Sequence, residues 1–460
     1  MALSALFLSL SINAQPAAPA PGAADPSAEA VQSPPAQQAQ RAPREDPGIL
    51  EAESQQAYAD GEYLRFYIAN MKLHNMFPNV PQYTYNIVRA CALLDKSNTA
   101  YHYMLKMQQQ GLSYDFNETE DTQSIRKTQA YDYINNMMIE AGEPAGDGAV
   151  AMTVAGNPAD REAIAWDPSR ERFLVGTVSK GEVLAVDAEG DAEVLLRADA
   201  ENGLWSVNGL AVDESRKRLW ISSAATPRFA AWAESDGNRN ALFEFDLETL
   251  ERVARHDLPA DGMYHELGGI ALTADGHVYV IDTVMPLIFR KRPQQAGLEP
   301  FVASKELVAF TDVTATPDNS RLFAADPVMG IFVVDPEAES AAMLSGPETL
   351  NLGGIRSVDY ADGNLFIIQA GIRPERLMRL ELDTNGSAVA EVIPMAIALE
   401  PFDRPGAGTV VKDYLYYLAN PGAGENAEGS IVMRTRLDAG NAVKELSIED
   451  LQEVLKPQGQ

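Results

Sequence analysis

The sequence predicts a mainly β protein: a six-bladed β-propeller with an N-terminal α-helical segment. Three observations carry this. A phrase of apolar strand, Asp- or Gly-bearing turn and second apolar strand is written six times after residue 160. Its copies recur at the spacing of a four-stranded blade. A spare strand precedes the first copy and can close the ring.

The copies are AIAWDPSRERFLVGT from Ala163, GLAVDESRKRLWISS from Gly209, GIALTADGHVYVID from Gly269, DVTATPDNSRLFAAD from Asp312, SVDYADGNLFIIQ from Ser357 and TVVKDYLYYLAN from Thr409. Aligned second strands begin at Phe173, Leu219, Val278, Leu322, Leu365 and Tyr416, spaced by 46, 59, 44, 43 and 51 residues. Segments such as GEVLAVDAEGDAEVLL and GIFVVDPEAESAAML supply third and fourth strands. Asp187, Asp246, Asp335, Asp383 and Asp438 follow third strands, where an Asp side chain can initiate a turn. Blade 3 has Arg290 to Arg292 there instead. The spare strand, Ala149 to Val154, is expected to join the last blade and remove the open edges. Residues Ala224 to Arg239 form an insertion in blade 2, expected to be a lid or a contact between copies.

The helical segment is expected over residues 51–145, ahead of a propeller over 146–445. It is written twice at one offset: Asp95 lies 34 residues after Gly61, and Leu112 lies 34 after Pro78. A third helical piece, Ser124 to Ala141, stops at Gly142 and Pro144. Cys91, the single cysteine, sits in the apolar run IVRACALL and reads as core; no internal disulfide is possible. Residues 1–14 look like a secretory signal without a basic start, 15–50 form an Ala/Pro/Gln-rich linker, and 446–460 a tail with a short helix at Ile448 to Leu455. A periplasmic or extracellular protein follows. The formal net charge of −30 argues against nucleic acid and anionic lipid as partners, and no stretch is long enough to span a bilayer.

Two resemblances rest on these residues. ADGEYLRFYIANMKLHNMFPNVPQYTYNIVRACALL resembles about two tetratricopeptide repeats, which implies a peptide-binding surface. A docked cap is the other reading of the same helices. REAIAWDPSRERFLVG, VNGLAVDESRKRLWIS and GGIALTADGHVYVID are similar to blades of the regucalcin and gluconolactonase family. That resemblance implies a divalent cation, usually calcium, held at the axial mouth by oxygen ligands just before each first strand, and lactone hydrolysis there. The matching metal ligands are Glu162 and Asn208, whereas Gly268, Thr311 and Ile355 or Arg356 depart from the pattern.

The repeat also offers a second ring, the fifth residues of the second strands: Thr177, Ser223, Asp282, Asp326, Gln369 and Asn420. They are candidates to line the mouth; polar strand ends are equally what turns require. His265 and Glu266, in MYHELGG, are candidate acid–base groups with Asp326. Asp282, Gln369, Asn420, Arg356 and Thr311 are candidate ligand contacts, and Arg356, Arg373 and Arg404 could hold an anion. The first functional expectation is an exported protein binding a small polar molecule or a protein segment at the mouth, with the helices as a second surface. The alternative is a calcium-dependent lactonase or ester hydrolase with a degenerate site.

Overall fold

The computed structural model describes residues 45–440, apart from 238, 259–260, 304–307 and 425–426. The signal-like residues 1–14, the linker as far as 44 and the tail 446–460 with its expected helix lie outside the described residues.

Six antiparallel sheets make up the β part. Their inner strands are Arg161–Asp167, Ser206–Asp213, Leu267–Leu272, Asp312–Ala315, Ile355–Ala361 and Gly406–Val411. Each touches the next, and the last touches the first, so the sheets form a closed ring. Apolar clusters fill the wedges between blades. Leu174 and Val183 of blade 1, for example, pack on Ile221 and Phe243 of blade 2. Phe366 and Leu377 of blade 5 meet Leu415 and Tyr417 of blade 6.

The spare strand closes the ring as expected. Ala149–Ala155 is the outermost strand of blade 6, pairing antiparallel with Gly429–Arg436 in the register Ala149↔Arg434 to Ala155↔Gly429. Just before it, Ala145–Gly146 adds a fifth strand to blade 5, against Ile397 and Ala396. The seam is clamped by Arg161, the first residue of blade 1. Its guanidinium donates to Val154 O (2.9 Å), Ala155 O (2.5 Å) and Ser430 Oγ (2.6 Å) while 4% exposed. The third-strand aspartates act as expected: Asp187, Asp246, Asp335 and Asp383 accept backbone N–H groups of the following turn. Asp438 instead pairs with Arg436.

Helices α1 (Pro47–Ala59), α2 (Tyr63–Met76), α3 (Pro81–Leu93), α4 (Ser97–Gln109) and α5 (Gln129–Glu140) precede the ring. Asp46 caps α1, so helix begins before the expected linker end at residue 50. Thr128 caps α5, and residues 120–125 form a short 3-10 turn, so the third helical piece starts later than Ser124. The 34-residue offset has a local cause. Gly61 and Asp95 both take positive φ, 73° and 57°, at the end of the first helix of each pair. The next residue's N–H then reaches back, Glu62 to Ala57 O and Lys96 to Cys91 O, both at 2.8 Å. Cys91 is fully buried in the helical core, which pushes its thiol up to about 11. No helix among the described residues is long and apolar enough to cross a membrane.

The helices dock on one end of the propeller. Asn79 donates to Met329 O (2.8 Å) and accepts from Leu352 N (3.2 Å). Buried Arg376 bridges Gln369 Oε1 (2.7 Å) to Gln110 O (2.9 Å). These propeller residues belong to loops where inner strands begin and second strands end, so the helices flank the end of the axis that carries Glu162 and Arg356.

Arg161→Ala would leave buried carbonyl oxygens unpaired at the seam. We expect a loss of about 2–4 kcal/mol, measured by urea unfolding.

Candidate binding site at the propeller axis

A cavity of about 1070 Å³ runs along the axis, lined by the inner strands of all six blades. One device sets which side chains face it. Five of the inner strands carry a β-bulge near their start, skipping Glu162, Asn208, one of Gly268 and Gly269, Arg356 and Ala407 in the pairing with the second strand. Thr311 stands at the same place in blade 4, immediately before Asp312↔Ala325. A bulge puts two residues opposite one and re-aims the extra side chain. The positions expected before the first strands therefore do form a ring, and its members are Glu162, Asn208, Gly268, Thr311, Arg356 and Ala407.

The ring carries charge of both signs. Glu162 is paired with Arg228 at 2.7 Å. Arg228 comes from the blade 2 insertion, whose described residues lie against the ring: Ala230 N donates to Ser179 O, and Phe229 and Trp232 pack on the wedge between blades 1 and 2. Glu266 lines the cavity nearby, and burial, then the charge of Glu162, raises its pKa. Arg356 and Arg404 also line the mouth. Neither side chain makes a hydrogen bond or ion pair among the described residues. Burial against the cavity wall lowers the Arg356 pKa, opposed by Glu162 and reinforced by Arg404 and Arg228. Asn208 donates Nδ2 to Leu267 O (3.1 Å), which fixes its amide; its buried Oδ1 has no partner. Thr311 donates to Ile355 O (2.9 Å) and so stitches blade 4 to blade 5.

The second-strand ends do not line this cavity. All are buried and bonded to loop backbone. Asp326 accepts from Val308, Ala309, Val328 and Met329 N–H groups. Asp282 accepts from Glu266, Val284 and Met285. Gln369 donates to Asn351 O and Gly353 O. Thr177 and Ser223 accept from Glu182 N and Trp205 N. Asn420 binds Gly429 O and Ile431 N. In blade 6 the register Gly406↔Leu418 makes Leu418 the equivalent of Thr177, so Asn420 lies two residues beyond the ring it was assigned to. These polar residues anchor turns, which is what ends an apolar strand.

His265 sits behind the mouth wall, 4% exposed, between two carboxylates: Asp282 at 2.5 Å from Nδ1 and Asp261 at 3.1 Å from Nε2. Burial lowers its pKa, but the hydrogen bonds to Asp282 and Asp261 outweigh burial and the net shift is upward. Arg373 lies at the helical junction, its carbonyl accepting from Ser113 N.

Two functional-looking groups lie outside the candidate set, although Asp312 is visible in the sequence one residue past the ring. Arg228 is hidden in an insertion of irregular pattern. The other is a carboxyl pair in the cavity wall, Asp312 and Asp359. One residue past the ring, the blades carry Ala163, Gly209, Gly269, Asp312, Ser357 and Gly408; three past it, Ala165, Ala211, Ala271, Thr314, Asp359 and Val410. An acid in each otherwise small or apolar row was the available signal. The space is made by glycines: a Cβ on Gly269 would lie 2.5 Å from Asp312 Oδ1, and one on Gly408 2.6 Å from Asp359 Oδ2. Asp312 accepts from Ser357 Oγ and Val358 N, both at 3.0 Å. Asp359 takes only the Ser357 hydroxyl, at 3.4 Å. Burial raises both acids, Asp312 to about 6 and Asp359 to about 8, the latter helped by the Asp312 charge.

A carboxyl raised on folding holds its proton more tightly in the folded chain than in the unfolded one. Between the unfolded value of about 4 and the folded value, rising pH therefore removes stability. His265 loses its contribution over the upper part of the same range, so the variant is the proper reference. We expect Asp359→Asn to match the wild type in Tm near pH 4 and to exceed it by about 3 °C or more at pH 8, measured by calorimetry.

No family model matches the sequence, and no curated protein matches it. Solved structures do. The PQQ-bound aldose sugar dehydrogenase of Streptomyces coelicolor is 16% identical, with 64% of this chain and 99% of that one covered and a TM-score of 0.45. A gluconolactonase of Xanthomonas campestris is 13% identical, with coverage of 64% and 94% and a TM-score of 0.44. A chain of a nidogen/laminin complex is 15% identical, with coverage of 50% and 79% and a TM-score of 0.38. By its own strand order this chain is a six-bladed β-propeller preceded by helices.

Proposed function

We propose that the axial mouth binds a small organic anion, a carboxylate or phosphate ester. The carrying observation is that Arg356 and Arg404 face the cavity without ion-pair partners among the described residues, in a chain of net charge −30. In such a chain exposed carboxylates are abundant, so two guanidiniums that form no ion pair among the described residues supply a local positive field that selects an anion. Arg228 adds a third guanidinium, engaged by Glu162. A guanidinium presents several N–H donors in one plane, which suits the two or three oxygens of a carboxylate or phosphate.

A divalent cation fits this ring poorly. Glu162 is already neutralised by Arg228, and Arg356 adds positive charge where a ligand would be needed. Gly268 offers no side chain, and the Thr311 hydroxyl, which donates to Ile355 O, offers only a neutral lone pair. Asn208 Oδ1 is a second neutral oxygen. A binding protein is accordingly favoured over a calcium-dependent lactonase. The exported location is kept as part of this reading. The helices, with their tetratricopeptide-like offset, supply a second contact surface; a cleft of about 540 Å³ between α4 and blade 4, lined by His102, Lys106 and Glu348, supports it.

Thermal shift with linear carboxylates and inorganic phosphate tests the mouth. Stabilisation is expected in the wild type, and Arg356→Ala or Arg404→Ala should weaken binding roughly 10- to 100-fold, the loss of one charged hydrogen-bond partner. Binding unchanged in both variants would refute the reading. Calcium, magnesium and manganese are expected to leave Tm within error; a calcium shift abolished by Glu162→Ala would restore the metal site.

A further inference from the structure

Along the inner strand of blade 5 the cavity wall changes sign. Arg356 stands at the mouth, and Asp359 follows three residues on, roughly 10 Å further at the rise of an extended strand. We infer that Asp359, backed by Asp312, is a second subsite that takes a cationic nitrogen, so that the ligand is a small zwitterion held by its anion at Arg356 and Arg404 and by its ammonium at Asp359. This rests on the anion-binding reading of the mouth.

Three observations carry it. Two acceptors of the cavity wall are left short of donors. Asp359 receives one long hydrogen bond, and Asn208 Oδ1, on a side chain 9% exposed, receives none. The Asn208 amide cannot turn to relieve this, because Nδ2 is committed to Leu267 O. Second, the pair has no ion-pair partner among the described residues. The flanking inner strands read LGGIAL, DVTA and GAGTVV, and the only cation on the blade 5 strand is Arg356 at the mouth. Tyr360, the neighbouring titratable residue, stacks on Phe323 within the wedge between blades 4 and 5. Third, the two acids divide the work. Asp312 is bonded to Ser357, Val358 and Val313 and serves as a strut, which leaves Asp359 to meet the ligand.

The competing occupant is a hydroxyl group. It supplies one donor and no charge, whereas an ammonium supplies three donors and the missing counter-charge. Binding an ammonium favours the ionised form of Asp359, so the proton that burial and the Asp312 charge hold on it leaves for the buffer.

Isothermal titration of the full chain at pH 7, in two buffers of different ionisation enthalpy, separates these cases. The probes are the ω-amino acids from 4-aminobutanoate to 6-aminohexanoate, the matching hydroxy acids and the matching unsubstituted carboxylates. We expect the best amino acid to bind about tenfold or more tighter than its hydroxy analogue, as for one charged hydrogen bond, with net proton release. Asp359→Asn should remove that preference and the proton release while keeping carboxylate binding; Arg356→Ala should weaken every probe. Equal or tighter binding of the hydroxy acids, or a preference that survives in Asp359→Asn, overturns the inference. Arg356-dependent carboxylate binding without an amino preference would leave the mouth reading standing. Failure of every probe to depend on Arg356 would sink both. The folded state of Asp359→Asn is checked by its Tm.

Discussion

Everything at the axis depends on ring closure. Six wedge-shaped sheets leave two open edges unless a strand from one end of the array completes a blade made at the other. Here Ala149–Ala155 does so, and Arg161 holds the seam through three hydrogen bonds, two of them buried. Arg161 is also the residue before Glu162, the blade 1 member of the axial ring. The bonds that close the propeller thus fix where its mouth begins.

Within the closed ring, the bulge decides the chemistry. A regular strand would send its side chains alternately into the two neighbouring wedges, where most are apolar or small. The bulge frees one residue in each of five blades from that requirement, and in blade 4 Thr311 stands just ahead of the strand. The ring can then hold Glu162, Asn208 and Arg356 without disturbing the core. The blade 2 insertion completes the site by delivering Arg228 over Glu162. The same carboxylate that could ligate a cation is thereby turned into part of a mixed-charge mouth with guanidinium in excess.

Repetition made the fold legible before any coordinates. Six apolar strand pairs at blade spacing gave the sheets, and the spare strand at Ala149 gave the closure. The ring positions were legible too, because Glu162, Asn208 and Arg356 occupy one place in the repeat. What the sequence concealed was direction and partnership. The strand-end residues Asp282, Asp326, Gln369 and Asn420 are polar for the sake of turns, and a one-dimensional pattern cannot tell a turn anchor from a mouth contact. In blade 6 the second strand ends at Leu418, and the alignment placed its end two residues later, at Asn420. Arg228 lies in an insertion without period, so nothing local announces that it reaches Glu162. Asp312 and Asp359 belong to different copies, and only the packing of blade 4 against blade 5 brings them to one serine, Ser357.

The central claim is that the axial mouth is an anion site made by Arg356 and Arg404. Anomalous diffraction from crystals soaked in 3-bromopropanoate would locate such an anion directly. A bromine peak in the axial cavity, with the carboxylate against Arg356 or Arg404, is the predicted result. An empty mouth at full occupancy elsewhere, or a carboxylate lying away from both guanidiniums, would contradict it.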